Sequence, residues 1–280
     1  MRFKPFVKEI YNYIRWVHFC LHNFKTTGVP KYNNRGKRVV SVGNGPSAGD
    51  FPYEKFKNLG YDFMCVNFFA LDKERFFKLR PTYYCCIDNA FGTIYENLLP
   101  KQKQLVGVLE QVDWPMIFVC FKGQKLPIQN DYIIYHYINA NELKGKLTLR
   151  KKKLYDRNKA TFGYQNVMLA TLYYFIMSRT AVIILTGVEN DWHRELFVDR
   201  NNDVFRKMTH FYGNERINIT QLGEIRRGEL YKYFHYYYIT LLNYSLAAKY
   251  ASASDVRIIN SCEESYIDVF VKQPAEEICL

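Results

Sequence analysis

Two stretches of this chain hold residue types that could do chemistry together. The first is the glycine-bracketed run Gly43-Asn44-Gly45-Pro46-Ser47. The β-branched stretch 38–42 stops abruptly there, and Asp50-Phe51-Pro52-Tyr53-Glu54 then offers a helix start. A strand–loop–helix of this kind turns free backbone N–H groups, and the positive end of a helix dipole, toward the carboxyl edge of a sheet, which suits a phosphate. Gly43 and Gly45 permit unusual φ and close approach of a ligand. Pro46 stiffens the loop, and Asn44 and Ser47 add short hydrogen-bonding side chains. The run is neither Gly-x-Gly-x-x-Gly nor a Walker loop, so it reads as a ligand loop or as an ordinary β–α turn. The second stretch is 188–227, a polar insert holding Asp191, Trp192, His193, Asp199, Asp203, His210 and Tyr212. An insert of that length at the ligand edge of a sheet is a common place for an active-site lid.

These residues need a frame to bring them together. Apolar runs recur at 38–42, 61–66, 82–87, 116–121, 181–185 and 256–259. Helical stretches lie between several of them, at 92–110 (interrupted at Pro100), 164–178 and 228–250. This alternation predicts an α/β fold with a doubly wound, mostly parallel sheet. The strands are near-continuously apolar and end in small polar residues: Asn44, Asn67, Asn89, Thr186 and Asn260. Ligands in such sheets bind outside the carboxyl ends, so these ends are expected to share one pocket, although Asn also favours turns on its own account. The uncharged run 160–178 is long enough to span a bilayer. Its Gly163, Gln165, Asn166 and hydroxyls, and the strand that follows at once, make it a buried helix covering the sheet.

The net charge of +12 is unevenly placed, with nine Lys/Arg in residues 1–40 against the single acid Glu9. Such an excess suits a phosphate-rich partner: nucleic acid, an anionic membrane, a nucleotide or an acidic sugar. No basic residues are laced through a recognition helix, so nucleic acid is set aside. Residues 3–24 place Phe3, Phe6, Val7, Ile10, Tyr13, Ile14, Val17 and Leu21 near helical spacing, with Arg2, Lys4, Lys8, Arg15 and Lys25 around them. That is the pattern of a helix in a membrane interface, or of one packed on its own domain or a second subunit, as in a homo-oligomer. Residues 1–37 therefore read as a basic amphipathic helix and linker, and 38–280 as the main domain. A second basic segment, 141–159, is expected to be exposed, as a lid over an anion or as a solvated face. Seven cysteines in no paired spacing, with no secretory signal, point to reduced thiols in the cytoplasm. Neither a C-x-x-C zinc pattern nor Asp-x-Asp occurs, so no metal or other cofactor is expected.

The ordered motifs resemble a known family. They run Val39-Val40-Ser41-Val42-Gly43-Asn44-Gly45-Pro46-Ser47, Cys65-Val66-Asn67-Phe68, Ile87-Asp88-Asn89-Ala90-Phe91, Leu185-Thr186-Gly187-Val188-Glu189, His210-Phe211-Tyr212-Gly213 and Asn260-Ser261. Their order and spacing, over roughly 38–265, are similar to the bacterial sialyltransferases of glycosyltransferase family 42. Those enzymes move sialic acid from CMP-sialic acid to lipooligosaccharide. The resemblance implies a Rossmann-like variant of the GT-A fold with a flexible lid around 188–227, metal-independent and inverting. It implies that Asn44 and Ser47 sit by the CMP phosphate, Asn67 by the nucleoside, and Asn89 by phosphate or sugar. Thr186, Gly187 and Val188 would contact cytidine through their backbone. Gly163 and Tyr164 lie in the region of the family's Ser-Gly motif. Two departures stand out: Glu189-Asn190-Asp191-Trp192 has no Tyr where the family has one, and Asn214-Glu215 follows Gly213 where the family's Gly-His-Ser would fall.

Glycosyl transfer of this kind requires a base for the acceptor hydroxyl and stabilisation of the departing phosphate. A histidine titrating near neutrality suits the first task, with His210 and then His193 as candidates. The loop amides, Asn44, Ser47 and Tyr212 suit the second. The expected function is transfer of sialic acid or a related sugar from a CMP-activated donor to a surface glycan or glycolipid, at the inner face of the cell membrane. The alternatives are a surface-polysaccharide glycosyltransferase using another nucleotide sugar, and a membrane-peripheral scaffold without catalysis.

Overall fold

The computed structural model describes residues 3–22, 29–88, 94–194, 196–210 and 213–279. Eight strands form one sheet: β1 (Arg38–Val42), β2 (Asp62–Val66), β3 (Tyr83–Cys85), β4 (Met116–Phe121), β5 (Ile133–Ile138), β6 (Val182–Thr186), β10 (Arg257–Asn260) and β11 (Val271–Lys272). Their order is β11-β10-β6-β1-β2-β3-β4-β5. Every neighbouring pair is parallel. Two of these strands were not expected. The edge strand β5 interleaves Ile with Tyr135, His136 and Tyr137 and leaves Ile134 exposed, and β11 is two residues long.

The period-2 alternation of the strands feeds two cores. One face takes Val39, Met64, Tyr83, Ile183 and Leu185 and is covered by α6 (Val167–Met177) and α7 (Leu230–Ser252). The other takes Val40, Phe63, Cys65, Tyr84 and Ile184. It is covered by α2 (Tyr53–Asn58), α3 (Lys73–Leu79) and α4 (Pro100–Leu109). Nearly all of α6 is buried, as its uncharged composition requires, and no described helix is long and apolar enough to cross a membrane. Asn166 caps α6, its side chain accepting from Leu169 N at 3.0 Å. Pro100 opens α4 instead of interrupting a longer helix, since an N1 proline has no amide to lose.

Three segments gain detail that the sequence left open or hid. First, the insert 188–227 is not irregular: β7 (Leu196–Val198), β8 (Val204–His210) and β9 (Gly213–Asn218) form an antiparallel sheet. Its own small core gathers Val204, Ile219, Ile225 and Tyr233. Second, 141–159 keeps most of its lysines and arginines exposed, as a solvated face does, but it is folded. It carries α5 (Leu149–Tyr155), and Lys151 within it is 4% exposed. Third, α1 (Phe3–His22) packs one face on the domain through Tyr13 and Trp16. Lys151 is buried because its ammonium meets the carboxylate of Glu9 from α1 at 2.6 Å and also donates to Lys144 O at 2.7 Å.

Candidate functional site

From β1 the chain winds outward through β2, β3, β4 and β5, then returns to the other side of β1 with β6, β10 and β11. The switch of direction lies between β1 and β6, where connections leave for opposite faces and open a crevice at the carboxyl ends. The loops after these two strands meet there. Gly43 N donates to Thr186 O at 2.8 Å and Gly45 N to Gly187 O at 2.9 Å. The approach is so close that a Cβ on Gly43 would stand 2.1 Å from Gly187 O. Gly187, at φ +66°, would meet Gly43 O at 2.7 Å. Glycine is needed at 43 because of this contact between loops, and not for an unusual φ: neither Gly43 nor Gly45 lies in the left-handed region.

The phosphate cradle expected at 43–47 is also different. Only a three-residue 3₁₀ turn, Pro46–Ala48, follows the strand, and α2 is six residues long, so little dipole is aimed at the loop. The Ser47 amide is already taken: it donates to Glu189 Oε1 at 2.7 Å. The same carboxylate lies against Gly45, where an added Cβ would come within 1.6 Å of Oε2. Ser47 Oγ accepts from Gly187 N at 3.0 Å and stands 3.0 Å from Cys262 Sγ. Burial, reinforced by Glu189, pushes that thiol up to about 11. The loop is thus knitted to the chain that follows β6.

Beside it opens a cleft of about 590 Å³, within the range of small-molecule sites. Gly43, Asn44, Gly45 and Pro46 form one rim, Asn67 and Asp88 another, and Gly187 to Trp192 a third. Tyr164 and Asn166 rise from the start of α6. Tyr233 and Tyr236 come from α7, and Arg206 and Lys207 from β8. Burial raises the pKa of the Tyr233 and Tyr236 phenols, so both stay neutral. Tyr236 already donates to Gln165 O, which leaves the Tyr233 hydroxyl as a donor for the cleft. Three carboxylates (Asp88, Glu189, Asp191) and two cations (Arg206, Lys207) face this space, so it carries both signs.

The most telling atoms are those without partners. Asn44 Oδ1, Asn67 Oδ1 and both amide atoms of Asn190 are buried yet make no hydrogen bond. Asn190 is 6% exposed. Asn67 and Asn190 also hold left-handed φ of 49° and 54°, a conformation that Asn tolerates better than most residues. Buried polar atoms left unmet cost free energy, and here they line one cavity. That is the arrangement of a site built for a polar ligand.

The expected site residues divide. Gly43, Asn44, Gly45, Asn67, Tyr164, Gly187 and Val188 line the cleft. Thr186 is buried behind it, Oγ1 donating to Ser47 O at 3.4 Å. Gly163, Ser47, Asn260 and Ser261 do not line it. A Cβ at Gly163 would strike Glu142 and Asn243. Asn260 is spent on its own turn, accepting from Cys262 N at 3.1 Å, and Ser261 Oγ donates to Leu185 O at 2.7 Å. His193 stacks edge-on to Tyr266 at 4.4 Å, behind the rim, with Nδ1 buried and unpartnered. His210 ends β8 opposite Gly213. Asn89 and Tyr212 lie outside the described residues. Reading the sequence missed Glu189, Asn190, Arg206 and the α7 tyrosines as cleft residues. The first two stood in plain view after Thr186-Gly187, whereas β8 and α7 reach the cleft only through tertiary packing.

No protein-family model matches the chain, and no curated protein does. Among solved structures the chain is similar to the sialyltransferase CstII from Campylobacter jejuni, determined in complex with a substrate analogue, CMP-3FNeuAc. The TM-score is 0.44 and the identity 13%, over 84% of this chain and 85% of that one. The likeness is one of chain course and says nothing of donor, acceptor or residue roles here.

Proposed function

We propose that the cleft binds a nucleotide-activated sugar and that the protein is a glycosyltransferase, with a CMP-linked sialic acid or related sugar as donor and a surface glycan or glycolipid as acceptor. The observation that carries this reading is the set of unpartnered amide atoms of Asn44, Asn67 and Asn190 in one cleft at the switch point of a parallel sheet. The order of motifs through the same strand ends favours CMP as the nucleotide. Because Glu189 fills the Ser47 amide, the donor phosphate is assigned to Arg206 and Lys207 on the opposite wall, with the Tyr233 hydroxyl as a neutral donor.

In the proposed reaction an acceptor hydroxyl oxygen attacks the anomeric carbon from the face opposite the phosphate. The C–O bond to CMP breaks and CMP leaves with the electron pair, inverting the centre. The hydroxyl proton passes to a base, His210 in this proposal, with the Asp191 carboxylate as the competing group. No metal or other cofactor has a part in the proposal. The alternative, another nucleotide sugar in the same cleft, differs only in the base recognised.

Thermal unfolding with CMP, UDP, GDP and ADP is the direct test. A ligand at one hundred times its Kd that binds only the native state adds about 2.7 kcal/mol, so CMP is expected to raise the melting temperature while the others do not. A selective response to another nucleotide would move the assignment to the alternative. No response to any of them would remove the transferase reading. A donor-sugar screen with product analysis then names the sugar.

A further inference from the structure

α1 has a second face that the domain does not cover. Val7, Ile10, Ile14, Val17 and Leu21 recur at helical spacing and are 36% to 66% exposed, on a face about 100° round the helix from Glu9, Tyr13 and Trp16. A stripe of this kind on an amphipathic helix normally lies against something apolar. Leu149, at the start of α5, is 81% exposed nearby in the fold.

The tertiary structure sets the basic segment 141–159 against α1 here. Residues 141–159 carry +6, and the part of α1 that meets them adds Lys8 and Arg15 against Glu9. Three contacts with the 146–151 region hold them together. Glu9 accepts from Lys151 Nζ and from Lys146 N, and the Arg150 guanidinium lies 4.3 Å over the Tyr13 ring. Lys8, Arg15, Lys144, Lys146, Arg150 and Lys153 are all exposed around the join. At its edge Ile14, Arg15, Trp16 and Lys144 line a recess of about 590 Å³, where Trp16 Nε1 is buried without a partner. The recess also holds Glu142, which is paired with Lys144 at 3.6 Å.

We propose that this α1–α5 face docks on an anionic phospholipid bilayer. The Val7–Leu21 stripe and Leu149 enter the headgroup boundary, the lysines and arginines meet lipid phosphates, and the recess holds one of them. Charge chooses this occupant over a second copy of the chain. A two-fold contact would set the same basic patch against itself, whereas an anionic leaflet attracts each Lys or Arg near its surface. The inference does not depend on what the cleft binds.

The test is co-sedimentation of the full chain with phosphatidylcholine vesicles, with and without phosphatidylglycerol, at low and high salt. Binding is expected with the anionic vesicles, weakening as salt rises. Ile14→Glu, Leu149→Glu and the pair Lys146→Glu/Lys153→Glu are each expected to lower it by roughly tenfold or more, at unchanged melting temperature. Equal binding to both vesicles, or none, would overturn the proposal. So would unaltered binding by the folded variants, or an Ile14→Glu variant that only turns a dimer into a monomer.

Discussion

The Glu189 carboxylate accepts the Ser47 amide at 2.7 Å, so the glycine-rich loop most suited to an anion is already holding one of the protein's own. An incoming phosphate meets a negative wall on that side of the cleft. Glu189→Gln keeps an acceptor for the amide and removes the charge. A unit charge facing a phosphate across a partly solvated cleft is worth about 1 kcal/mol. CMP should therefore bind roughly fivefold more tightly to the variant while neutral cytidine is unchanged, as read by calorimetric titration. Equal gains for both ligands would mean that shape, and not charge, was altered.

Asn44 spends hydrogen-bonding capacity on nothing in the fold, since its Oδ1 is buried and unmet. Asn44→Ala should leave stability within about 0.5 kcal/mol of the parent, because no protein bond is lost. If the amide instead waits for a ligand, CMP affinity should fall by roughly tenfold, about the worth of one hydrogen bond. A large loss of stability with unchanged affinity would give Asn44 a structural role.

Lys151 and Glu9 make a pair in which the lysine is nearly sealed from water, its side chain 6% exposed. Glu9→Ala strands that ammonium with the Lys144 carbonyl alone, and unfolding should become easier by about 3 kcal/mol. Adding Lys151→Met should recover most of the loss, since a long apolar side chain then fills the space. Chemical denaturation of the two variants decides it. Equal destabilisation by the single and double changes would deny the coupling.

His136 stacks on Tyr32 at 3.8 Å with Nδ1 2.7 Å from the Tyr174 hydroxyl, and burial lowers its pKa to about 4. The folded state therefore prefers the neutral ring. Below the unfolded-state value near 6.5 the unfolded chain takes up a proton that the folded one refuses, so stability falls as pH drops from about 6.5 to about 4. Above that window the ring adds no pH dependence. His136→Gln should flatten this part of a stability–pH curve measured by denaturant titration. An unchanged slope would assign it to other groups.

Much of the main sheet was legible because its strands are short apolar runs bounded by Asn, Gly and Asp, and a parallel sheet buried on both faces demands such runs. β1, β2, β4, β6 and β10 fell where hydrophobic pattern alone placed them. β5 did not, because an edge strand is half solvated and its Tyr and His break the pattern. The antiparallel β7–β9 sheet was missed because Asp199, Asn201, Asn202 and Asp203 look like loop chemistry, and only the pairing of Leu196–Val198 with Val204–Arg206 makes them a turn.

For the site, the order of residues by itself determined that Asn44, Asn67 and Gly187 stand at strand ends, since each follows an apolar run directly. Two things were decided only in three dimensions. Gly43 and Gly187 press backbone to backbone, and Glu189 enters the loop that a phosphate was expected to fill. Likewise the docking of 141–159 on α1 rests on Glu9 meeting Lys151 across 142 positions. Local pattern reports which residues can share a face of one element. Which distant charges and glycines touch is set by how the elements pack, and no spacing along the chain encodes that distance.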